Sequence, residues 1–432
     1  MSGQIRFYGI LFLLTTAIFF NACQKHTDPG STGGTPNAVK EDGMIYWEAG
    51  YKVNAFDVKA QKLAWQTSIQ FGFASAMAYD SGFLYTSNEY GVTALNAATG
   101  AITWQTPISS LNFINNQLSF QSMPAVVDSL LYVAGFTGNN GVICLYAIRK
   151  SNGSVKWAQP LSGVNDYPNK VPSFAISGNK IVVTGWVGGN PYRMMCLDRI
   201  GGTVIWDKSF NAVVGNVPSI KDGMVYIPML FPPAVLAVNL NNGNQQWKTA
   251  ISNASTEDRK LLLTKNNLVC ISDDNSSSRT VFQFFDYSTG QIKAPLFAKF
   301  NSYIESGNNY IMSLGRYFSC YDQQTNTLKW QVDTDWGTID DTLSNKYIYD
   351  IEETQLLKDD GNMLVYEAYA NMPQTGPGAV FLNKFYFVDV STGETSSKIT
   401  LPASLYLRGI DIIYVKGGIV YYPYKSPAYQ AH

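Results

Sequence analysis

The stretch that decides the fold reads Gly91-Val92-Thr93-Ala94-Leu95-Asn96-Ala97-Ala98-Thr99-Gly100-Ala101-Ile102-Thr103-Trp104. It combines a small residue, an apolar residue, Asn, a Gly four residues later and a Trp four residues after the Gly. Variants of this pattern occur eight times along the chain. The last position holds six of the nine tryptophans, namely Trp65, Trp104, Trp157, Trp206, Trp247 and Trp330. In the other two copies this position holds Ala294 and Ser397. Such a repeat predicts a repeat architecture for the whole chain.

The other columns of the repeat describe a tight turn between two strands. The turn position holds Gly in six copies and Gln61 and Asn326 in the others. Gly and Asn adopt a left-handed backbone at low cost. Four residues upstream stands Asp or Asn in every copy except one, which has Arg149. Asp and Asn side chains accept hydrogen bonds from backbone amides and so stabilise such turns.

Short segments rich in Val, Ile, Tyr, Phe and Thr flank each turn, which predicts β-strands. Each unit also has an upstream hairpin, such as 219–227, so a unit contains about four antiparallel strands. Packing these units radially buries their faces, with the Trp wedged between neighbours. The sequence therefore predicts an all-β fold, a single β-propeller of four-stranded antiparallel blades over residues 37–426.

The run from Gly91 to Trp104 resembles the tryptophan-docking repeat of PQQ-type β-propellers. That family includes quinoprotein alcohol dehydrogenases and the propeller lipoprotein of the outer-membrane barrel assembly machinery. The resemblance covers about residues 36–424 and implies the fold. It does not carry over the quinone site, because the chain has no adjacent Cys pair and lacks the long insertions of the dehydrogenases. We therefore expect no cofactor and no PQQ-dependent dehydrogenase activity.

The repeat leaves the number of blades open. There are eight Gly-turn-Trp hairpins but nine upstream hairpins, the first at 38–47 and the last at 412–422. We favour eight blades, one of which shares strands from both termini. Seven blades are the alternative if residues 336–401 do not form one normal blade. The two copies without Trp are expected to make the looser blade contacts.

The amino terminus predicts export and a lipid anchor. Arg6 precedes an apolar run at 7–20, and Ala22 precedes Cys23, as in a bacterial lipoprotein signal. Residues 1–22 are predicted to be that signal peptide, with lipid attached to Cys23, and an ordinary secretory signal is the alternative. Residues 23–36 form a polar, flexible tether. This predicts a membrane-anchored lipoprotein of a bacterial envelope, at the outer membrane, facing the periplasm or the surface and held by lipid alone.

Composition restricts the chemistry. The net charge is −1 and no basic run is present, which argues against nucleic acid as a partner. The two histidines, His26 and His432, lie outside the predicted propeller, which excludes a Ser-His-Asp triad or a His-rich metal site within it. The carboxylate doublets Asp340-Asp341, Glu352-Glu353 and Asp359-Asp360 remain candidates for an acid–base enzyme. Neighbouring residues on a strand point to opposite faces, which argues against such a pair.

Aromatic loops that interrupt the repeat are the predicted binding surface. Aromatic and Arg side chains dominate protein interfaces, and aromatic rings also stack on sugars. The leading hypothesis is a non-catalytic interaction scaffold with an envelope protein partner, in a monomeric chain. The alternatives are a glycan-binding lipoprotein and a carboxylate-based enzyme. The candidate loops are 186–193 with Trp186, Tyr192 and Arg193, 229–233 with Phe231, and 366–378.

Overall fold

A computed structural model describes residues 42–421, with gaps. The signal peptide, the lipid attachment at Cys23 and the tether lie outside the described residues. The gaps are residues 50, 70–76, 89–90, 108–117, 121–123, 138–142, 162–172, 186–191, 211–212, 215–217, 252–259, 265, 274–279, 294–295, 299–301, 307, 315–316, 326, 334–348, 359–361, 372–379, 402–411 and 417–418.

The described residues form strands and turns, and they contain no helix that is long and apolar enough to cross a membrane. The strands make eight antiparallel sheets, numbered here in chain order. Sheet 1 contains β1 (Met44–Ala49), β2 (Lys52–Asp57), β3 (Lys62–Ser68), β34 (Ile412–Lys416) and β35 (Ile419–Tyr421). Sheet 2 contains β4 (Met77–Asp80), β5 (Phe83–Asn88), β6 (Gly91–Asn96) and β7 (Ile102–Pro107).

The next three sheets follow the same order, with the first strand split in two of them. Sheet 3 contains β8 (Leu118–Phe120), β9 (Ala125–Val127), β10 (Leu130–Thr137), β11 (Ile143–Arg149) and β12 (Val155–Pro160). Sheet 4 contains β13 (Ser173–Ser177), β14 (Lys180–Gly185), β15 (Tyr192–Asp198) and β16 (Val204–Phe210). Sheet 5 contains β17 (Val213–Val214), β18 (Ser219–Lys221), β19 (Met224–Phe231), β20 (Ala234–Asn239) and β21 (Gln245–Ala250).

The last three sheets have four strands each. Sheet 6 contains β22 (Lys260–Leu263), β23 (Leu268–Asp273), β24 (Thr280–Phe285) and β25 (Leu296–Ala298). Sheet 7 contains β26 (Ser302–Ser306), β27 (Asn309–Leu314), β28 (Tyr317–Asp322) and β29 (Leu328–Asp333). Sheet 8 contains β30 (Tyr349–Lys358), β31 (Asn362–Asn371), β32 (Val380–Asp389) and β33 (Thr395–Leu401). Sheet 8 occupies most of the interval 336–401, on which the seven-blade alternative depended.

Sheet 1 joins the two ends of the described chain. Strand β1 pairs on one side with β2 and on the other with β34, with Met44 opposite Val415. The hydroxyl of Tyr414 donates a hydrogen bond of 2.6 Å to the backbone oxygen of Asp42. The strand order is therefore β3-β2-β1-β34-β35, in which β34 takes the place that the first strand has in the other sheets.

The hydrophobic core lies between consecutive sheets. Within the described residues, seven clusters of buried apolar side chains each join one sheet to the next, from sheets 1 and 2 to sheets 7 and 8. Between sheets 2 and 3, for example, Tyr85 and Ala94 pack with Leu131 and Tyr146. Sheet 8 contacts sheet 1 through the rings of Phe387 and Tyr414. The sheets thus form a closed ring in chain order.

The repeated tryptophans join neighbouring sheets. Each indole N–H donates to the backbone oxygen of the residue that follows the Asp/Asn column in the next turn along the ring. The acceptors are Ala97 for Trp65, Lys150 for Trp104, Arg199 for Trp157, Leu240 for Trp206, Tyr287 for Trp247 and Val390 for Trp330, at N···O distances from 2.7 to 3.2 Å. A buried indole needs such an acceptor, because an unpaired N–H is costly away from water.

The small-residue column is explained by what stands opposite it. In seven sheets the register shifts between the small-residue column and the next apolar residue, as between Ala94 and Leu95, a bulge that increases local twist. This register places Ala94 directly opposite Trp104. A small side chain on one strand therefore leaves space for the indole on its neighbour.

The two copies without Trp reverse these sizes. Sheet 8 has Phe387 opposite Ser397, and sheet 6 has Phe284 in the small-residue column. Both phenylalanines are buried and contact the next sheet, with ring centroids 5.5 Å apart for Phe284 and Tyr310 and 5.7 Å for Phe387 and Tyr414. Looser contacts were expected here. Instead, a Phe in the small-residue column makes the contact with the next sheet that Trp makes in the other copies.

The turn glycines give a direct test of the tryptophan contact. Gly202 and Gly223 both have φ +75°, so Ala at either position carries the left-handed penalty of roughly 1–2 kcal/mol. A Cβ at Gly202 would lie 2.6 Å from Trp157 Cδ2, whereas a Cβ at Gly223 would meet no atom within 4 Å. Gly202→Ala should therefore lower the free energy of unfolding by about 1–3 kcal/mol more than Gly223→Ala, measured by denaturant unfolding. Equal losses would show that the indole contact contributes nothing.

Candidate functional site

The sheets have two chemically different ends. At one end lie the turns between the first and second and between the third and fourth strands, such as 81–82 and 97–101, and we call it the repeat end. At the other end lie the turns between the second and third strands and the connections to the next sheet, such as 232–233, and we call it the loop end. Because the sheets share one strand order, equivalent turns lie at the same end in every sheet.

Side chains at the repeat end hold the turns in shape. The Oδ1 atom of Asp286 accepts the backbone amides of Ser288 and Thr289, both at 3.0 Å. Hydrogen bonds from Ser288 and Thr289 lower the pKa of Asp286 to about 2. Asn96 accepts the amides of Ala98 and Thr99 in the same way. The Asp/Asn column therefore serves the turns, as the sequence suggested.

Charged pairs also cross between sheets at the repeat end. The guanidinium of Arg199 in sheet 4 donates to Asp128 of sheet 3 at 2.6 Å, and also to the backbone oxygen of Gly178 at 2.9 Å. Lys150 of sheet 3 pairs with Asp80 of sheet 2. Lys150 and Arg199 occupy equivalent positions, one residue after the Asp/Asn column. Sequence reasoning missed these pairs, because partners about 70 residues apart are brought together only by the ring.

The described strands that flank the predicted binding loops meet the loop end. Tyr192 and Arg193 begin β15 and Phe231 ends β19, while Trp186 and residues 372–379 lie outside the described residues. Each loop joins the second strand of a sheet to the third, in sheets 4, 5 and 8. The structure thus brings the strand ends that flank the three loops to one end of the ring, and it makes sheets 4 and 5 neighbours.

Arg193 is held by a carboxylate on the adjacent strand. Its Nε donates to both oxygens of Asp207, at 2.8 and 3.0 Å, and its Nη2 pairs with the same group. The hydrogen bond to Asp207 raises the pKa of Arg193. A bidentate pair fixes the plane of the guanidinium. Arg193 is therefore a positioned cation at the loop end.

A buried carboxyl lies between sheets 1 and 2 towards the loop end. Glu48, near the end of β1, is 3% exposed, and its Oε2 accepts a hydrogen bond of 2.7 Å from the Thr86 hydroxyl. Its Oε1 has no hydrogen-bond partner in the described part of the chain. Burial raises the pKa of Glu48 to about 7, although the bond from Thr86 lowers it. The signal that sequence reasoning missed was a Glu directly after the apolar run Ile45-Tyr46-Trp47.

The other predicted chemical groups do not converge. Asp340-Asp341 and Asp359-Asp360 lie outside the described residues, and Glu352-Glu353 lies on β30. No group of three or more His, Cys, Asp or Glu side chains that could hold a metal ion occurs among the described residues. The described cysteines are buried and form no disulfide with one another, namely Cys144, Cys196, Cys270 and Cys320. Burial raises the pKa of the Cys144 thiol to about 12, so it stays protonated and packs as an apolar side chain.

Comparison with known proteins supports the resemblance to PQQ-type β-propellers. A model of the family described as outer membrane protein assembly factor BamB matches residues 26–171. The solved structure of BamB from Moraxella catarrhalis aligns with a TM-score of 0.51 and 16% identity, covering 77% of this chain and 92% of that one. The predicted resemblance is confirmed. The chain has the fold of a PQQ-type β-propeller.

Other solved structures share the propeller. The dihydro-heme d1 dehydrogenase NirN, in complex with DHE, aligns with a TM-score of 0.54 and 10% identity, covering 87% of this chain and 76% of that one. A europium-containing methanol dehydrogenase aligns with a TM-score of 0.50 and 11% identity, covering 79% and 82%. No curated protein matches the sequence. Because these propellers include an assembly factor and two dehydrogenases, the likeness shows the fold and does not choose a function.

The raised pKa of Glu48 predicts a pH-dependent stability. The unfolded chain loses this proton near pH 4.5 and the folded chain near pH 7, so stability falls as pH rises through that interval and then levels off. Glu48→Gln keeps an acceptor for Thr86 and removes the titration. Between pH 4.5 and 8 it should gain roughly 2–4 kcal/mol of unfolding free energy relative to the natural chain, measured by urea unfolding. The exposed Glu394→Gln is the control, and parallel curves for the natural chain and Glu48→Gln would disprove the burial argument.

Proposed function

We propose that the protein is a bacterial envelope lipoprotein whose propeller is a non-catalytic scaffold for an envelope protein partner, bound at the loop end. The observation that carries the proposal is the division between the two ends. At the repeat end the turn side chains are engaged in capping and in pairs between sheets. The described strands that lead into the interrupting aromatic loops end at the opposite end. The match of the BamB family model to residues 26–171 supports a scaffold role at the outer membrane.

The membrane attachment is part of the same proposal. Lipid on Cys23, after removal of residues 1–22, would hold the chain at the membrane, and the polar segment 23–36 would give the propeller reach. We propose a monomeric propeller over 37–426, without a resident cofactor. Arg193, Tyr192 and Phe231 are the proposed contact residues of the described chain, together with Trp186.

Glycan binding is the second candidate, because one aromatic side chain is exposed at the same end. Tyr51, in the turn between β1 and β2, is 51% exposed. Exposed aromatic rings pack on the apolar faces of sugars as readily as on proteins. A carboxylate-based enzyme is less well supported, since Glu48 is buried away from any substrate. The two leading candidates would use the same surface and differ in what it captures.

Site-specific photo-crosslinking distinguishes the ends. Pro232 at the loop end and Asn241 at the repeat end are both exposed turn residues of sheet 5. A photoreactive amino acid at position 232, in membranes opened with mild detergent, should form covalent adducts with an integral membrane protein. The same amino acid at position 241 should form none, because we place the protein interface at the loop end.

The outcome can contradict the proposal in two ways. Adducts from position 241 alone would move the interface to the repeat end. Adducts from neither position, combined with selective retention of the chain on a glycan array, would favour glycan binding over the scaffold hypothesis. Cys23→Ala should abolish incorporation of a labelled fatty acid into the chain, and incorporation by that variant would disprove lipid attachment at Cys23.

A further inference from the structure

The turn of sheet 3 departs from the repeat in its charge. Arg149 stands where the other copies have Asp or Asn, and a guanidinium cannot accept hydrogen bonds from turn amides. The turn keeps the second side-chain bond that other copies also make, in which the Asn152 Oδ1 accepts the backbone amide of Ser154 at 3.0 Å, as Asn242 does for Asn244 in sheet 5. Arg149 Nη1 donates to the Ser154 hydroxyl at 3.2 Å. The turn shape is therefore kept while a cation replaces the usual acceptor.

Arg149 lines a cleft between sheets 2 and 3 at the repeat end. The cleft has a volume of about 570 Å³, within the range of small-molecule sites. Two more cations line it, Lys150 and Lys156, against a single carboxylate, Asp80. The hydroxyl-bearing residues Ser81, Ser129 and Ser151 also line it.

The charge balance leaves two cations available. Lys150 pairs with Asp80, whereas the bonds that Arg149 makes to described residues go to neutral oxygens, those of Ser154 and Val155. Lys156 is exposed on β12 and forms no ion pair or hydrogen bond with the described residues. The cleft thus carries excess positive charge on a chain whose net charge is −1.

The next junction of the ring shows that the architecture does not require this charge. Between sheets 3 and 4, Arg199 pairs with Asp128, as Lys150 pairs with Asp80. The position of Arg149 is taken there by Asp198, and the position of Lys156 by Ile205. At these compared positions the second junction therefore has one cation, Arg199, where the first has three.

The backbone of the cation-bearing turn is held by the docking contact. The Lys150 backbone oxygen accepts the Trp104 indole N–H at 2.7 Å, and the Thr106 hydroxyl donates to the Gly153 backbone oxygen at 2.5 Å. Both donors belong to sheet 2. The two walls of the cleft are therefore fixed to each other, which gives a ligand a preformed site.

We propose that this cleft binds a small ligand through a phosphate group. A phosphate offers several acceptor oxygens, which suit a planar guanidinium, an ammonium and serine hydroxyls together. The cleft volume has room for an organic group beside the phosphate. The source is a soluble phosphate ester or the phosphate of a lipid headgroup, and the same residues would recognise either.

Arg149→Asp is the decisive variant, because it gives this turn a residue that other copies of the repeat already use. Titration calorimetry on the full chain with inorganic phosphate and glycerol 1-phosphate should show binding that weakens with salt. Arg149→Asp should reduce the affinity about 10- to 100-fold, since a charge-assisted bond is lost and a repulsion is added. Lys156→Glu should weaken binding in the same direction. Lys248→Glu, an exposed lysine of sheet 5 with the same charge change, should leave the affinity within about twofold.

Vesicles separate the two sources. Greater retention of the natural chain than of Arg149→Asp on phosphatidylglycerol vesicles, with no difference on phosphatidylcholine, assigns a lipid headgroup even if the soluble esters do not bind. Binding of the soluble esters alone assigns a free phosphate ester. Equal affinities and equal retention for the natural chain and Arg149→Asp overturn the proposal. So does the absence of soluble binding up to about 10 mM together with no difference on vesicles.

Discussion

The structure depends on an indole that reaches from one sheet into the turn of the next. The donor needs a carbonyl oxygen at a fixed place, and the ring of the indole needs a face to lie against. The left-handed glycine supplies that face, because any side chain there would occupy the space of the indole. The small residue opposite the Trp supplies room on its other side. The Trp, the residue whose carbonyl accepts its N–H, the turn glycine and the small residue are thus all required by one contact.

This constraint explains which parts of the fold could be predicted from the sequence. The turn, the bulge and the docking contact recur in register, so the columns around Asn96 and Trp104 appear in the sequence itself. The size exchange at Phe284 and Phe387 was not readable, because the compensating volume sits on a different strand from the missing Trp. The pairing of Arg199 with Asp128 was not readable either, since it depends on how adjacent sheets face each other.

The candidate site was readable only in outline. Aromatic residues in segments that interrupt the repeat marked the loops, and the shared strand order then places their flanking strands at one end. Glu48 escaped notice because burial of a carboxyl depends on the neighbouring sheet, which supplies the Thr86 hydroxyl. Arg149 was visible as an exception in its column, but its meaning came from the cleft around it. A residue that departs from a repeat can be given a chemical role only when its neighbours in the folded chain are known.

The closing sheet has a consequence for synthesis of the chain. Strand β1 is among the first strands to be made, and its partner β34 is among the last, with Tyr414 bonded to a residue 372 positions earlier. Until β34 arrives, one edge of β1 exposes unpaired amides and carbonyls, the kind of edge at which chains aggregate. Pairing at such a separation is also slow, because the entropy of closing the loop is lost before the contacts form. The first sheet is therefore complete only when the last strands of the ring are in place, and we expect its closure to be a late step in folding.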